Sequence, residues 1–278
     1  MDPLSVTASV IAVATATLQS AKAVYDIVDG LMDAPHSVSQ SKSLLSQIQT
    51  TLGTLTRTLE TNSASGAVDP VLKEIGLNKT LESTQSLCQE FAITLTRFTS
   101  HSTDLRFSTR DRFIVQFNES KIKRLNRDLA DCQRTITMVF SSITLIISYL
   151  ASGNIDQLRT QFDTQERALA DLGAQLSTRE AESQANDDST AADEDSSAQL
   201  TASLRDVCQK TLSATRVRRT GQKFSDMKTD DHSVAMQGIV GVAQPDVDQS
   251  FGSLTTTTSS RAFQGQMDSS SFGKLFSK

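Results

Sequence analysis

Apolar residues return at alternating three- and four-residue steps through most of the first 176 positions, the spacing of helices with one buried face. Helix one is expected from about Pro3 to Val28, with Leu4, Val10, Ile11, Leu18 and Val24 on its apolar side. Ala8, Ala12, Ala16 and Ser20 recur every four residues along it, a small-residue stripe that lets a neighbouring helix come close. Helix two, about Pro35 to Thr61, carries Val38, Leu45, Ile48, Leu52, Leu55 and Leu59, and helix three, about Pro70 to Thr99, carries Leu81, Thr84, Cys88, Phe91, Leu95 and Phe98. After a loop from His101 to Thr109, Phe113, Ile114 and Phe117 form a short helix. It leads past Asn118 into the longest helix, where Ile122, Leu125, Leu129, Cys132, Ile136, Val139, Ile143, Ile146 and Leu150 keep an unbroken heptad seam. Ile155, Leu158, Phe162, Gln165, Leu169, Leu172 and Leu176 continue the rhythm in a fifth helix whose polar surroundings suit an exposed coiled-coil arm.

Prolines mark the helix starts: Asp2-Pro3 and Asp69-Pro70 each set a capping acceptor before a proline at the first helical position, and Pro35 opens helix two. Past the fifth helix the pattern fades. Residues 181–197, AESQANDDSTAADEDSS, are acidic and poor in apolar groups and read as a disordered linker. Leu200, Leu204, Val207 and Leu212 then form a short amphipathic helix. The expected fold is an all-α antiparallel bundle with a long heptad-patterned helix, an extended coiled-coil-like fifth helix and a disordered C-terminal tail. Its divisions are 1–150 for the bundle, 151–180 for the fifth helix, 181–197 for the linker and 198–278 for the short helix, a basic patch and a low-complexity tail. One faint order crosses the tail: Gln237-Gly238 and Ser250-Phe251-Gly252-Ser253-Leu254 are echoed by Gln264-Gly265 and Ser271-Phe272-Gly273-Lys274-Leu275.

Composition agrees with a core confined to part of the chain: hydrophobic residues make up 37% and aromatics 5%, with no Trp. A net charge of −5 argues against nucleic acid as partner. Cys88, Cys132 and Cys208 are odd in number and far apart, so they read as reduced thiols of a cytoplasmic protein rather than as a disulfide or zinc framework. No basic stretch precedes the apolar N-terminus as a secretory signal requires. Thr135 to Ile155 is long enough for a membrane span, but Thr137, Ser141, Thr144 and Ser148 draw a polar stripe along it that fits a bundle helix better.

Chemistry is sparse. There is neither a GxxxxGK[ST] phosphate loop nor a GxGxxG turn, and His36, His101 and His232 stand in polar contexts without a readable partner. No catalytic, cofactor or metal residue is expected, and no small-molecule substrate. Lys121, Lys123, Arg124 and Arg127 read as a solvated face with ion pairs to nearby acids such as Asp128 and Asp131. Arg216, Arg218, Arg219 and Lys223, with Lys228, form a denser patch suited either to the linker acids or to anionic lipid headgroups.

The opening Met1-Asp2-Pro3-Leu4-Ser5-Val6-Thr7-Ala8-Ser9-Val10-Ile11-Ala12-Val13 resembles the start of a fungal helical domain. That domain is known from the azaphilone pigments biosynthesis cluster protein L and from the N-termini of fungal STAND (NACHT-type) NTPases, and the likeness covers about residues 1–150. The resemblance implies a HeLo-like bundle of the signalling and cell-death class, in which the bundle self-associates and the first helix engages membranes. It also implies that C-terminal amyloid-forming repeats accompany some relatives, which the tail echo loosely resembles. No NTPase core follows here. The expected function is a non-enzymatic interaction module acting as a homo-oligomer or with a helical partner, using the face Leu4, Ala8, Ala12, Ala16 and Ser20. The alternative is a membrane-targeting effector, peripheral at an anionic surface, whose first helix (3–28) inserts into lipid.

Overall fold

A computed structural model describes residues 5–31, 34–62, 68–101, 108–152, 155–185, 191–220, 223–224, 226–240 and 250–268. The helices are α1 (Val6–Asp29), α2 (His36–Asn62), α3 (Asp69–Ile75), α4 (Leu77–Phe98), α5 (Thr109–Phe117), α6 (Glu119–Ser152), α7 (Ile155–Ala185) and α8 (Ala191–Thr220). Six short strands follow: β1 (Lys223–Phe224), β2 (Met227–Thr229), β3 (Val234–Val240), β4 (Ser250–Phe251), β5 (Leu254–Thr256) and β6 (Arg261–Met267). The chain divides into two compact units, residues 1–212 and 213–278.

In the first unit α1 packs on α2 and α4, α2 reaches α6, and α6 also receives α4, α5 and α7. The six apolar residues expected for α2 and the six for helix three are all buried. So is the α6 seam from Ile122 to Ile146, while Leu150 at its end is 44% exposed. α6 is long and apolar enough to cross a membrane by length and composition, yet its heptad row is spent inside the bundle. Helix three is interrupted at Gly76, whose φ of 70° is left-handed, and which ends α3 by donating its N–H to the Leu72 carbonyl. Asp69 does not cap its own helix. Its carboxylate instead accepts from the Thr7 N–H at 2.9 Å and from the Ser5 and Thr7 hydroxyls, closing the open start of α1.

Three expectations change. The α7 seam is not an exposed arm: Phe162, Leu169, Leu172 and Leu176 are buried, α7 packs on α6, and the ring of Tyr149 meets Phe162 edge-on at 6.2 Å. Gln165, the polar break in that seam, spends its amide on the Met138 carbonyl (2.8 Å) and the Ser142 hydroxyl (3.0 Å). The acidic stretch is largely helical, with α7 running to Ala185 and α8 starting at Ala191, so the short amphipathic helix becomes one of 30 residues. The tail carries regular structure too. Its strands pair in parallel, β1 with β4, β2 with β5 and β3 with β6.

Candidate functional site

The α1 stripe has a different geometry from the one its spacing suggests. The row that meets α2 and α4 is Thr7, Val10, Ala14, Thr17, Ala21, Val24 and Val28, all buried. Thr17 donates its hydroxyl to the Leu81 carbonyl across the contact at 3.1 Å. Ala8 and Ala12 are exposed, Ala16 and Ser20 half-buried, and Leu4 lies outside the described residues. The four-residue stripe therefore faces outward, leaving the close helix approach to Ala14 and Ala21. In the second unit Arg218 is buried and Arg216 half-buried, while the side chains of Arg219 and Lys223 lie outside the described residues. Lys121 and Arg124 both face Glu90, and Lys123 pairs with Glu119, so much of the α6 cation cluster forms ion pairs, and Arg124 also lies near enough to Asp128 to act on its charge.

Asp128 and Asp131 belong to a buried charge cluster that sequence reading missed. Arg179 of α7 pairs with Asp128 and Asp131 of α6, Arg134 also reaches Asp131, and Ser197 of α8 donates to Asp128 at 3.1 Å. Burial raises the Asp128 carboxyl above its ordinary range despite Arg179, and burial likewise lowers the Arg179 guanidinium. Both directions say that desolvation outweighs the pairing, so the cluster fixes how α7 and α8 seat on α6 more than it stabilises the unit. A groove of about 510 Å³ beside it is lined by Lys79, Arg124, Asp128 and several serines. The thiols are buried and free, and burial pushes Cys88 up to about 12 and Cys208 up to about 11. Among the described residues no cluster of His, Cys, Asp or Glu could hold a metal ion.

The second unit holds the most ordered arrangement. Lys223 lies opposite Ser250, Met227 opposite Leu254 and Val234 opposite Arg261, so all three strand pairs share one offset of 27 residues (250 − 223, 254 − 227, 261 − 234). The chain thus makes two rungs of one coil, the second laid on the first in register. Even the corners match: Asp231 and His232 take left-handed φ of 58° and 56°, and Thr258 and Ser259, 27 residues on, take 52° and 59°. Gln264 donates its amide to Gln237 at 2.8 Å, a side-chain ladder between equivalent positions. Gly238 lies against Gly265 so closely that a Cβ on it would overlap the Gly265 carbonyl, whereas a Cβ on Gly265 would meet the Phe263 and Phe251 rings at 3.5 and 3.6 Å. The Ser253 N–H holds the exposed Asp226 carboxyl below the usual range, and the Thr257 and Thr258 hydroxyls do the same for Asp230. The Gln-Gly echo read from sequence is one of these pairings. Lys223-Phe224 and Met227 lie opposite Ser250-Phe251 and Leu254, and the other half of the expected echo, Ser271 to Leu275, lies outside the described residues.

Comparison with known proteins agrees with the helical part. No curated protein sequence and no solved structure matches the chain. A sequence-family profile does, over residues 1–217, which takes the likeness beyond the first 150 residues and through most of α8. The chain belongs to the family described as pigment biosynthesis cluster protein PigL N-terminal.

Proposed function

We propose that the chain is a non-enzymatic association module, in which a helical bundle carries a C-terminal segment that pairs with copies of itself. The observation behind this reading is the common 27-residue offset of the three parallel strand pairs. Among the described residues each strand pairs with a single other strand, so each rung presents one edge that no strand occupies, a template for another. The two rungs resemble each other at matching positions: Phe224 and Phe251, Ala235 and Ala262, Gln237 and Gln264, Gly238 and Gly265. A second copy can therefore place its first rung on the second rung of its neighbour, using contacts each chain already makes within itself. Such a contact is head-to-tail and does not close, so it grows in one direction. No charge stacks on a like charge in this register, because Lys223 meets Ser250, Lys228 meets Thr255 and Arg261 meets Val234.

The bundle side of this module supplies shape rather than chemistry. Its heptad rows on α2, α4, α6 and α7 are consumed internally, which moves the expected association from the helix seams to the tail. Three free, buried cysteines suit a reducing, cytoplasmic setting. The test is light scattering of the full chain across a concentration series, beside a chain ending at Thr220. The full chain grows with concentration and the shortened one stays monomeric. A full chain that is strictly monomeric at high concentration refutes the reading.

A further inference from the structure

Few large apolar side chains of the bundle are exposed, and three of them lie on α4 and α5. Phe117 is 95% exposed, Phe113 67% and Ile93 on α4 70%. On α5, Arg110, Phe113, Ile114 and Phe117 are spaced three and four apart and so share one stripe. The only acid of α5, Asp111, points the other way: it is buried, accepting the His101 N–H at 2.9 Å. The outward side of α5 is left with arginines, aromatics and uncharged residues. Two depressions join this stripe to Ile93, one lined by Ile93, Arg97, Phe98 and Lys121, the other by Arg97, Phe98, Ile114, Asn118 and Lys121. Both are lined by Arg97, Phe98 and Lys121, and the first also by Glu90, which pairs with Lys121 and Arg124. Across residues 108–127 six cations (Arg110, Arg112, Lys121, Lys123, Arg124, Arg127) face two acids (Asp111, Glu119), in a chain whose net charge is −5.

We infer that the α4–α5 face docks on an anionic lipid surface, with Phe113 and Phe117 entering the headgroup layer and Arg97, Arg110 and Lys121 meeting lipid phosphates. Outward aromatics beside Arg97 and Arg110, with Asp111 turned inward and Glu90 paired to Lys121 and Arg124, match the chemistry of an anionic membrane interface. The exposed phenylalanines make no contribution to the core that would account for their placement. This contact needs no helix to leave the bundle, unlike insertion of α1, whose buried row is committed to α2 and α4. It is also independent of how the C-terminal rungs associate.

Flotation of the full chain with phosphatidylcholine vesicles, with and without phosphatidylserine, tests it, since self-assembled protein sinks while vesicle-bound protein rises. The chain is expected to float with the anionic vesicles at low salt and to stay below with the neutral ones. Phe113→Ser with Phe117→Ser is expected to weaken partitioning at least about tenfold while leaving the melting temperature unchanged. Arg97→Gln with Arg110→Gln weakens it by about tenfold or more and flattens its salt dependence. A chain that floats with neither vesicle overturns the proposal and leaves the face to a protein partner. Equal flotation of the phenylalanine variant, or loss of flotation on removing residues 221–278 alone, overturns it as well.

Discussion

Replacing Arg179 with Met removes the one cation that bridges Asp128 and Asp131 while keeping most of the buried hydrocarbon stem. The side chains of the two acids are 3% and 4% exposed and that of Arg179 14%, so the change strands two carboxylates where water cannot reach them. Breaking a buried pair in this way costs about 3–5 kcal/mol. Arg134 still reaches Asp131 and Ser197 still donates to Asp128, which places the expected loss near the lower end, about 3 kcal/mol. The pH dependence follows from the direction of the Asp128 shift. A carboxyl raised by burial favours the folded state below the ordinary carboxylate range, and that contribution is lost as pH rises through the raised value. Without Arg179, which lowers it, the Asp128 carboxyl rises further, so the deficit of the variant is largest at pH 8 and shrinks by pH 5. Urea unfolding followed by circular dichroism at both pH values measures it. The triple change Asp128→Asn, Asp131→Asn, Arg179→Met should cost less than Arg179→Met alone, because no charge is then left unpaired. A loss below about 1 kcal/mol for Arg179→Met, or one identical at both pH values, refutes the claim that this cluster seats α7 on α6.

The remaining predictions concern the helix row, the thiols and the rungs. Ala14→Leu overfills the α1 contact and should lower stability by about 1–3 kcal/mol, whereas Ala12→Leu on the exposed side should change it by no more than about 0.5 kcal/mol; thermal melts of both decide which row is packed. Cys88, Cys132 and Cys208, all buried with their thiols pushed up, should resist a thiol reagent at pH 8 and react together once the chain is unfolded in denaturant. Asp226 and Asp230 sit below the usual carboxylate range, so their contribution to the rungs is full above about pH 3.9 and fades as pH falls through their lowered values; light scattering of assemblies titrated into acid should fall only there.

The helices were legible wherever an apolar row had a helical period, which is why α2, α4 and the α6 seam could be read residue by residue. Three failures have separate physical causes. In α1, alanines occur on both faces, so the four-residue stripe gave the wrong side, and only the packing of Ala14 and Ala21 against neighbours decides it. The acidic run before Leu200 looked disordered because its charge and low apolar content were weighed alone, although α8 starts within it at Ala191. The α7 seam looked exposed because its flanks are polar, yet Arg179 and Gln165 turn polar side chains into partners for α6. The rungs were hardest to see. Parallel pairing across 27 residues needs no alternation within a strand, and it left just Phe, Ala and Gln-Gly as visible repeats in a background of Ser and Thr. The aromatic side of α5 was visible as a short helix, but its outward orientation depends on Asp111 and Val115 being the residues that turn inward.

Amide hydrogen exchange on the associated full chain, read segment by segment, bears most directly on self-pairing through the rungs. Association through the tail predicts that protection rises on assembly at 227–229, 234–240, 254–256 and 261–267, that the helices change little, and that Gly238→Val abolishes both the assembly and the added protection. Protection that rises instead along the helices, with the strand segments exchanging freely in the assembly, contradicts it.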